Sequence, residues 1–115
     1  METNPAFVNG VYTFIGHGLE APTPLAPGLG YTVPADRRAQ LIYFRAGNSA
    51  DALVAVTLMR EGAAMRTFPI GAKGAVHVPL AVVEDLMPDT RIDIFVAAPA
   101  GVTGQIVLDL GLLEI

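Results

Sequence analysis

Apolar and polar residues alternate along much of the chain with a period of two, the repeat of a strand whose side chains point to opposite faces. "TRIDIFVAAP" sets Ile92, Ile94 and Val96 against Asp93 and Phe95, and "TGQIVLDLGLLEI" sets Ile106, Leu108 and Leu110 against Val107, Asp109 and Gly111. "DALVAVTLMREG" opposes Val54, Val56 and Leu58 to Leu53, Ala55, Thr57 and Met59, and its Arg60-Glu61-Gly62 reads as a hairpin turn into "AAMRTFPIG". In "AQLIYFRAG" the same period puts Leu41, Tyr43 and Arg45 on one face and Ile42 and Phe44 on the other, so both faces of that strand are largely covered.

Between these runs 12 glycines and 9 prolines punctuate the chain, which suits many short strands. "AKGAVHVPL" offers a turn and a short strand, and "AVVEDLMPDT" holds the one helix candidate, a single turn ended by Pro88 and Asp89. With turn signals at such spacing the pattern predicts an all-β fold, an antiparallel β-sandwich or jelly roll of about seven or eight strands. The first thirty residues read differently. After a strand at "GVYTFIGHG", the run "LEAPTPLAPGLG" carries Pro22, Pro24 and Pro27, which remove backbone donors and favour an extended path. Residues 1–30 are therefore expected to form an extended arm with one strand, and residues 31–115 the sandwich.

Composition sharpens this picture. A chain of 115 residues has the size of one domain, and with 52% apolar and only 16% charged residues it holds more apolar side chain than one core requires. In a small protein that surplus points to a subunit interface. Asp, Arg, Gly or Pro interrupts every apolar run before the ~18–20 residues that a membrane helix needs. "METNPAFVNG" has neither a basic nor an apolar segment of a secretory signal, so the product is expected in the cytoplasm of the cell that makes it. A net charge of -4 with scattered basic residues leaves no footprint for a nucleic acid. Seven Lys and Arg in all, with Lys73 the only lysine, make the basic set arginine-rich. Arginine is favoured at protein interfaces, and a GC-rich genome gives the same skew.

Candidate chemistry is sparse. The chain lacks cysteine, which removes disulfides, thiolate nucleophiles and zinc–thiolate sites together. His17 and His77 lack any ligand spacing, and as metal ligands they need Glu20, Glu84, Asp85 or Met65 brought in by the fold; a surface or interface role is the plainer reading. Ser49, in "AGNSADA", sits among turn formers, without the surroundings of a nucleophile. Gly28-Leu29-Gly30 is followed by a Pro-bearing strand entry rather than the helix a phosphate loop requires. Asp93 and Asp109 lie on separate strands, either as an acid pair or as the solvent-facing beats of two alternating strands. No metal, cofactor or enzymatic activity is expected.

"YTVPADRRAQLIYFRAGNSADALVAVTLMREG", then "FPIGAKGAVHVPLAVV", then "MPDTRIDIFVAAPAGVTGQIVLDLGLLEI" together resemble a recurrent small β-sandwich of virion proteins in tailed bacteriophages, over about residues 30–115. The resemblance lies in the order of turns and strands. It implies an accessory structural role, as a head decoration or stabilising protein, a head spike or a tail-fibre component, built into the virion through the major capsid or tail protein. It also implies a homo-oligomer, with a trimer suiting three-fold lattice sites. Asp36 stands where this type has a glycine, and the first thirty residues have no counterpart in it. An arm of that kind places Phe7, Tyr12, Phe14, Pro22, Pro24, Leu25 and Pro27, with Arg37 and Arg38 at the lip of the following strand, in the interface. "YTVPADRR" and "VAVTLMREGAAMRTF" are also similar to calcium-dependent bacterial fucose-binding lectins, without their acidic, Asn-rich calcium loop, which makes a carbohydrate-binding module the alternative.

Overall fold

The computed structural model describes residues 2–80 and 84–115. In chain order the strands are β1 (Asn4–Ile15), β2 (Thr23–Pro24), β3 (Gly30–Thr32), β4 (Ala39–Asn48), β5 (Val54–Arg60), β6 (Ala63–Ile70), β7 (Ala75–Pro79), β8 (Asp85–Leu86), β9 (Arg91–Ala97) and β10 (Thr103–Glu114). They form two antiparallel sheets. The first has the order β1-β10-β4-β7, with β8 added beside β4; the second has the order β2-β9-β5-β6, with β3 also on β9. Because β2 and β3 both pair with β9, they act as one interrupted strand. Setting aside the two-residue β8, the first strand of the chain then pairs with the last and the second with the next to last, and so on inward. That nesting is a jelly roll.

The period-two pattern places most of the core. Ile92, Ile94, Ile106, Leu108, Leu110, Val54, Val56 and Leu58 are all buried between the sheets, while Val107 faces out. The sheets meet most closely where Phe44 of β4 stacks on Phe68 of β6, ring centroids 4.0 Å apart and planes 6° from parallel. Burying side chains of this class is worth about 1.5–3 kcal/mol each, the main source of stability for a sandwich of this size.

One strand departs from simple alternation. Leu41 and Phe44 are both buried although three positions apart, because the β4–β10 ladder slips: Gly111 pairs with Tyr43, and the next residue, Leu112, pairs with Leu41. Ile42 is the extra residue of a bulge, so the facing parity changes there. Ala39 and Leu41 point inward before it, and Phe44, Ala46 and Asn48 after it. The expected grouping of Leu41 with Tyr43 and Arg45 is thereby corrected.

The expected arm is largely built into the sandwich. β1 pairs along its whole length with β10, from Asn4 opposite Glu114 to Ile15 opposite Thr103. Val8 and Phe14 enter the core, and Ala6 and Tyr12 pack partly against it. The Pro-rich stretch is the crossing from the first sheet to the second. Thr23 and Pro24 pair with Val96 and Phe95, and the Leu25 amide donates to the Ile94 carbonyl at 2.9 Å. Prolines are tolerated because this is a sheet edge, where a missing N–H leaves no ladder bond unmade.

The turns carry their own signatures. Glu61 and Gly62 both have positive φ (50° and 82°), the two-residue hairpin turn expected between β5 and β6. The helical turn expected in "AVVEDLMPDT" is replaced in part: residues 81–83 lie outside the described residues, Asp85–Leu86 is a short strand, and Met87 to Thr90 is a tight turn with Asp89 at φ 66°. No helix among the described residues is long and apolar enough to cross a membrane.

Candidate interaction face on the first sheet

The bulge at Ile42 decides what the outer face of the first sheet displays. With parity reversed, Tyr43 and Arg45 point away from the core. The register across β1, β10, β4 and β7 then lines up three successive rows: Phe7, Gly111, Tyr43 and Pro79; Asn9, Asp109, Arg45 and His77; Val11, Val107, Gly47 and Ala75. The middle row is polar and the rows beside it are mainly apolar or small.

Three members of the polar row are tied together through Tyr43 of the neighbouring row. The Asp109 carboxylate accepts from the Arg45 guanidinium and, at 3.0 Å, from the Tyr43 hydroxyl. Arg45 lies over the Tyr43 ring, 5.2 Å from its centroid, and His77 meets that ring edge-on at 6.2 Å. The Arg45 hydrogen bond holds the Asp109 carboxyl below its ordinary value, helped by Tyr43. Desolvation and the bond to Asp109 push the Tyr43 hydroxyl above its own ordinary value. The Tyr43 ring lies across Gly111, where any Cβ would run into it, so the glycine is what lets the tyrosine lie flat on the sheet. Beside this row, Gly47 and Ala75 leave a shallow open groove between Arg45, His77 and Asp109 on one side and Val107 on the other.

Toward β1 the face exposes large apolar side chains. Phe7, Val11, Ile15 and Val107 are each more than half exposed (57%, 60%, 59% and 55%), and Val11 sits directly opposite Val107. Phe7, Val11 and Ile15 recur every four residues on one face of β1, alternating with Asn9 and Thr13, so they form an interrupted apolar stripe.

The nine interface residues expected from the sequence are not brought together. Phe7 is on the stripe. Tyr12 faces inward, its hydroxyl donating to the Asn9 carbonyl at 2.9 Å. Phe14 and Leu25 are core residues and present no surface, a correction that follows from the pairing of β1 and of the crossing segment. Pro22, Pro24 and Pro27 are exposed near the edge of the second sheet. Arg37 donates to the Glu2 carbonyl at 2.9 Å and so pins the entry to β1, while Arg38 faces Asp85 at 3.7 Å.

The other candidates also scatter. Asp93 belongs to the second sheet and Asp109 to the first, both facing outward, so the sandwich separates them and they make no acid pair. His17 and Glu20 share a shallow hollow beside Pro99, and among the described residues no three metal-ligating side chains converge. Ser49 Oγ accepts from the Gln105 amide at 2.8 Å, a ladder role.

Three polar anchors escaped the sequence reading. Asn48 is buried and ties four backbone groups together. Arg91 donates to Asp93, Thr32 and the Gly28 carbonyl. Tyr31 of the second sheet donates to Glu114 of the first at 2.5 Å, and its hydroxyl is pushed well above the ordinary tyrosine value by burial and then by that carboxylate. The signal for Asn48 was an amide closing a ten-residue strand; nothing in the sequence pairs Tyr31 with Glu114.

No family model matches the chain, and no curated protein matches it. Among solved structures it is similar to a chain in the "Structure of infectious bursal disease virus Gx strain", with a TM-score of 0.46 and 11% identity. The match covers 98% of this chain but 36% of that one, so this chain spans about a third of the length of the virus protein it is compared with.

Proposed function

We propose that the protein is a non-enzymatic structural component of a bacteriophage-like particle that decorates or stabilises the capsid, or forms part of a head spike or tail, through contacts with the major capsid or tail protein. One observation carries this reading: the outer face of the β1-β10-β4-β7 sheet exposes the apolar side chains of Phe7, Val11, Ile15 and Val107, crossed between Phe7 and Val11 by the polar row of Asn9, Asp109, Arg45 and His77. Exposed apolar side chains interleaved with polar groups suit a protein-contact patch. Its rigidity comes from the ladder and not from a loop, as suits a part that must seat repeatedly in one orientation. The bacteriophage element rests on the resemblance in strand and turn order.

The test is density-gradient purification of particles from the source cells, followed by detection of this protein in the particle band. Val107→Asp, which puts a charge in the middle of the stripe without touching the core, should release the protein from that band. Persistence of the variant on the particles, or absence of the unaltered protein from them, would remove the basis of the reading. The groove between Arg45, His77 and Asp109 favours a second reading, a carbohydrate-binding module; glycan-array binding lost on Arg45→Ala would support it, and binding unaffected by that change would not.

A further inference from the structure

The free edge of β1 differs from every other sheet edge described. β7 is five residues long and ends in Pro79, β6 carries Arg66 and Pro69, and the β2/β3 edge is interrupted and carries Pro24. Short strands, charges and prolines are the usual means of preventing edge-to-edge pairing. β1 has none of them from Phe7 to Ile15: nine consecutive residues without a charge or a proline. Among the described residues, no strand covers its outer side.

The polarity of that edge can be read from one bond. The Gly16 amide donates to the Val102 carbonyl at 2.6 Å, continuing the β1–β10 register. Antiparallel ladders alternate, so the even-numbered residues of β1 exchange bonds with β10. The odd-numbered ones, Phe7, Asn9, Val11, Thr13 and Ile15, aim N–H and C=O outward. Tyr12 occupies one lone pair of the Asn9 carbonyl and leaves the second free.

We infer that this edge pairs with the same edge of a second copy of the chain, antiparallel about a two-fold axis at Val11. In that register Val11 faces its own copy, Phe7 faces the partner's Ile15, and Asn9 faces the partner's Thr13. Apolar meets apolar, polar meets polar, and each outward donor meets an acceptor. Pro5, which has no N–H, falls just outside the paired segment, where the partner chain turns away at Gly16. A register centred on Asn9 instead places Pro5 opposite Thr13 and leaves Ile15 without an apolar partner. The two stripes then merge into one band across a continuous sheet. The symmetry is two-fold, so this contact by itself yields a dimer and not the trimer expected from the resemblance. About nine residues a side is small against the roughly 20–30 of a standard interface, so a weak, concentration-dependent dimer is expected. The inference does not depend on the virion reading.

The test uses the native lack of cysteine. A single Val11→Cys variant can cross-link only between chains, and the two-fold puts its Cα about 5.5 Å from its mate, within disulfide range. Thr13→Cys lies about 13 Å from its mate, four residues along the strand, and Asn9→Cys similarly. Mild oxidation should give covalent dimer from Val11→Cys and almost none from the other two. Sedimentation of the unaltered chain should show a monomer–dimer equilibrium that Val11→Lys shifts to monomer, with slow exchange of the Gly10 and Tyr12 amides confirming that β1 stays paired to β10. A monomer at all concentrations, equal cross-linking of the three variants, or preferential cross-linking through Asn9→Cys would overturn the inference.

Discussion

Replacing Asn48 by alanine tests whether the end of β4 is held by a side chain and not by apolar packing. The residue is 4% exposed, its amide nitrogen donates to the Ala52 and Gly71 carbonyls at 3.0 and 3.1 Å, and its Oδ1 accepts from the Ala50 amide at 2.9 Å. Alanine deletes these three bonds and the longer one to the Ile70 carbonyl at 3.4 Å. The buried Ala50 N–H would then lack a partner at a cost of about 1–2 kcal/mol, while the two carbonyls lie nearer to water and lose only about 0.5 kcal/mol each. The expected total is ~2–3 kcal/mol, read as a lower urea midpoint at constant slope. Asn48→Asp keeps the acceptor but turns a carboxylate toward two carbonyl oxygens, so at neutral pH it should be at least as unstable as the alanine variant. Its carboxyl pKa would be raised in the folded state, so its relative stability should be fully present below the ordinary aspartate value and lost as pH rises through the raised one. The alanine variant should show no such dependence. A loss below about 0.5 kcal/mol for Asn48→Ala, or matching pH profiles for the two variants, would refute the reasoning.

Gly111→Ala should cost about 1–3 kcal/mol, because the added Cβ meets the Tyr43 ring, and adding Tyr43→Ala should recover part of that loss in a double-mutant cycle. Tyr31 is raised in the folded state, so its contribution is fully present below pH ~10 and declines above it; Tyr31→Phe should flatten that alkaline decline in urea midpoints. Phe44→Ala should destabilise by about 3–5 kcal/mol through the cavity it leaves against Phe68, measurable by the same unfolding assay. Deleting residues 2–15 should abolish cooperative unfolding rather than trim an appendage, since Val8 and Phe14 belong to the core and β10 would lose one of its two partner strands.

Where one parity of a strand is apolar and the other mixed, as in β9 and β10, the alternation alone places most of the core, missing only buried Ala97 and Leu112 at the strand ends. β4 resisted because "QLIYF" is apolar on both parities, so nothing local marks Ile42 as the bulged residue; the slip is fixed by Gly111 and Leu112 some seventy positions away. The same distance hides the candidate face. Asp109, Arg45 and His77 are three unremarkable polar positions until the register sets them in one row. The N-terminal segment misled for a different reason: proline density marks a missing ladder donor, which an edge strand or a sheet-to-sheet crossing tolerates as well as a free arm does. Phe14 and Leu25 were drawn into the expected interface by that ambiguity.

The most direct measurement is electron cryomicroscopy of particles purified from the source cells. The expected result is a two-sheet density seated with its β1-β10-β4-β7 face toward the capsid or tail, with Val107 and Arg45 within contact distance of the neighbouring protein. Density for the chain docked through the β2-β9-β5-β6 sheet, or particles that lack the chain, would contradict it.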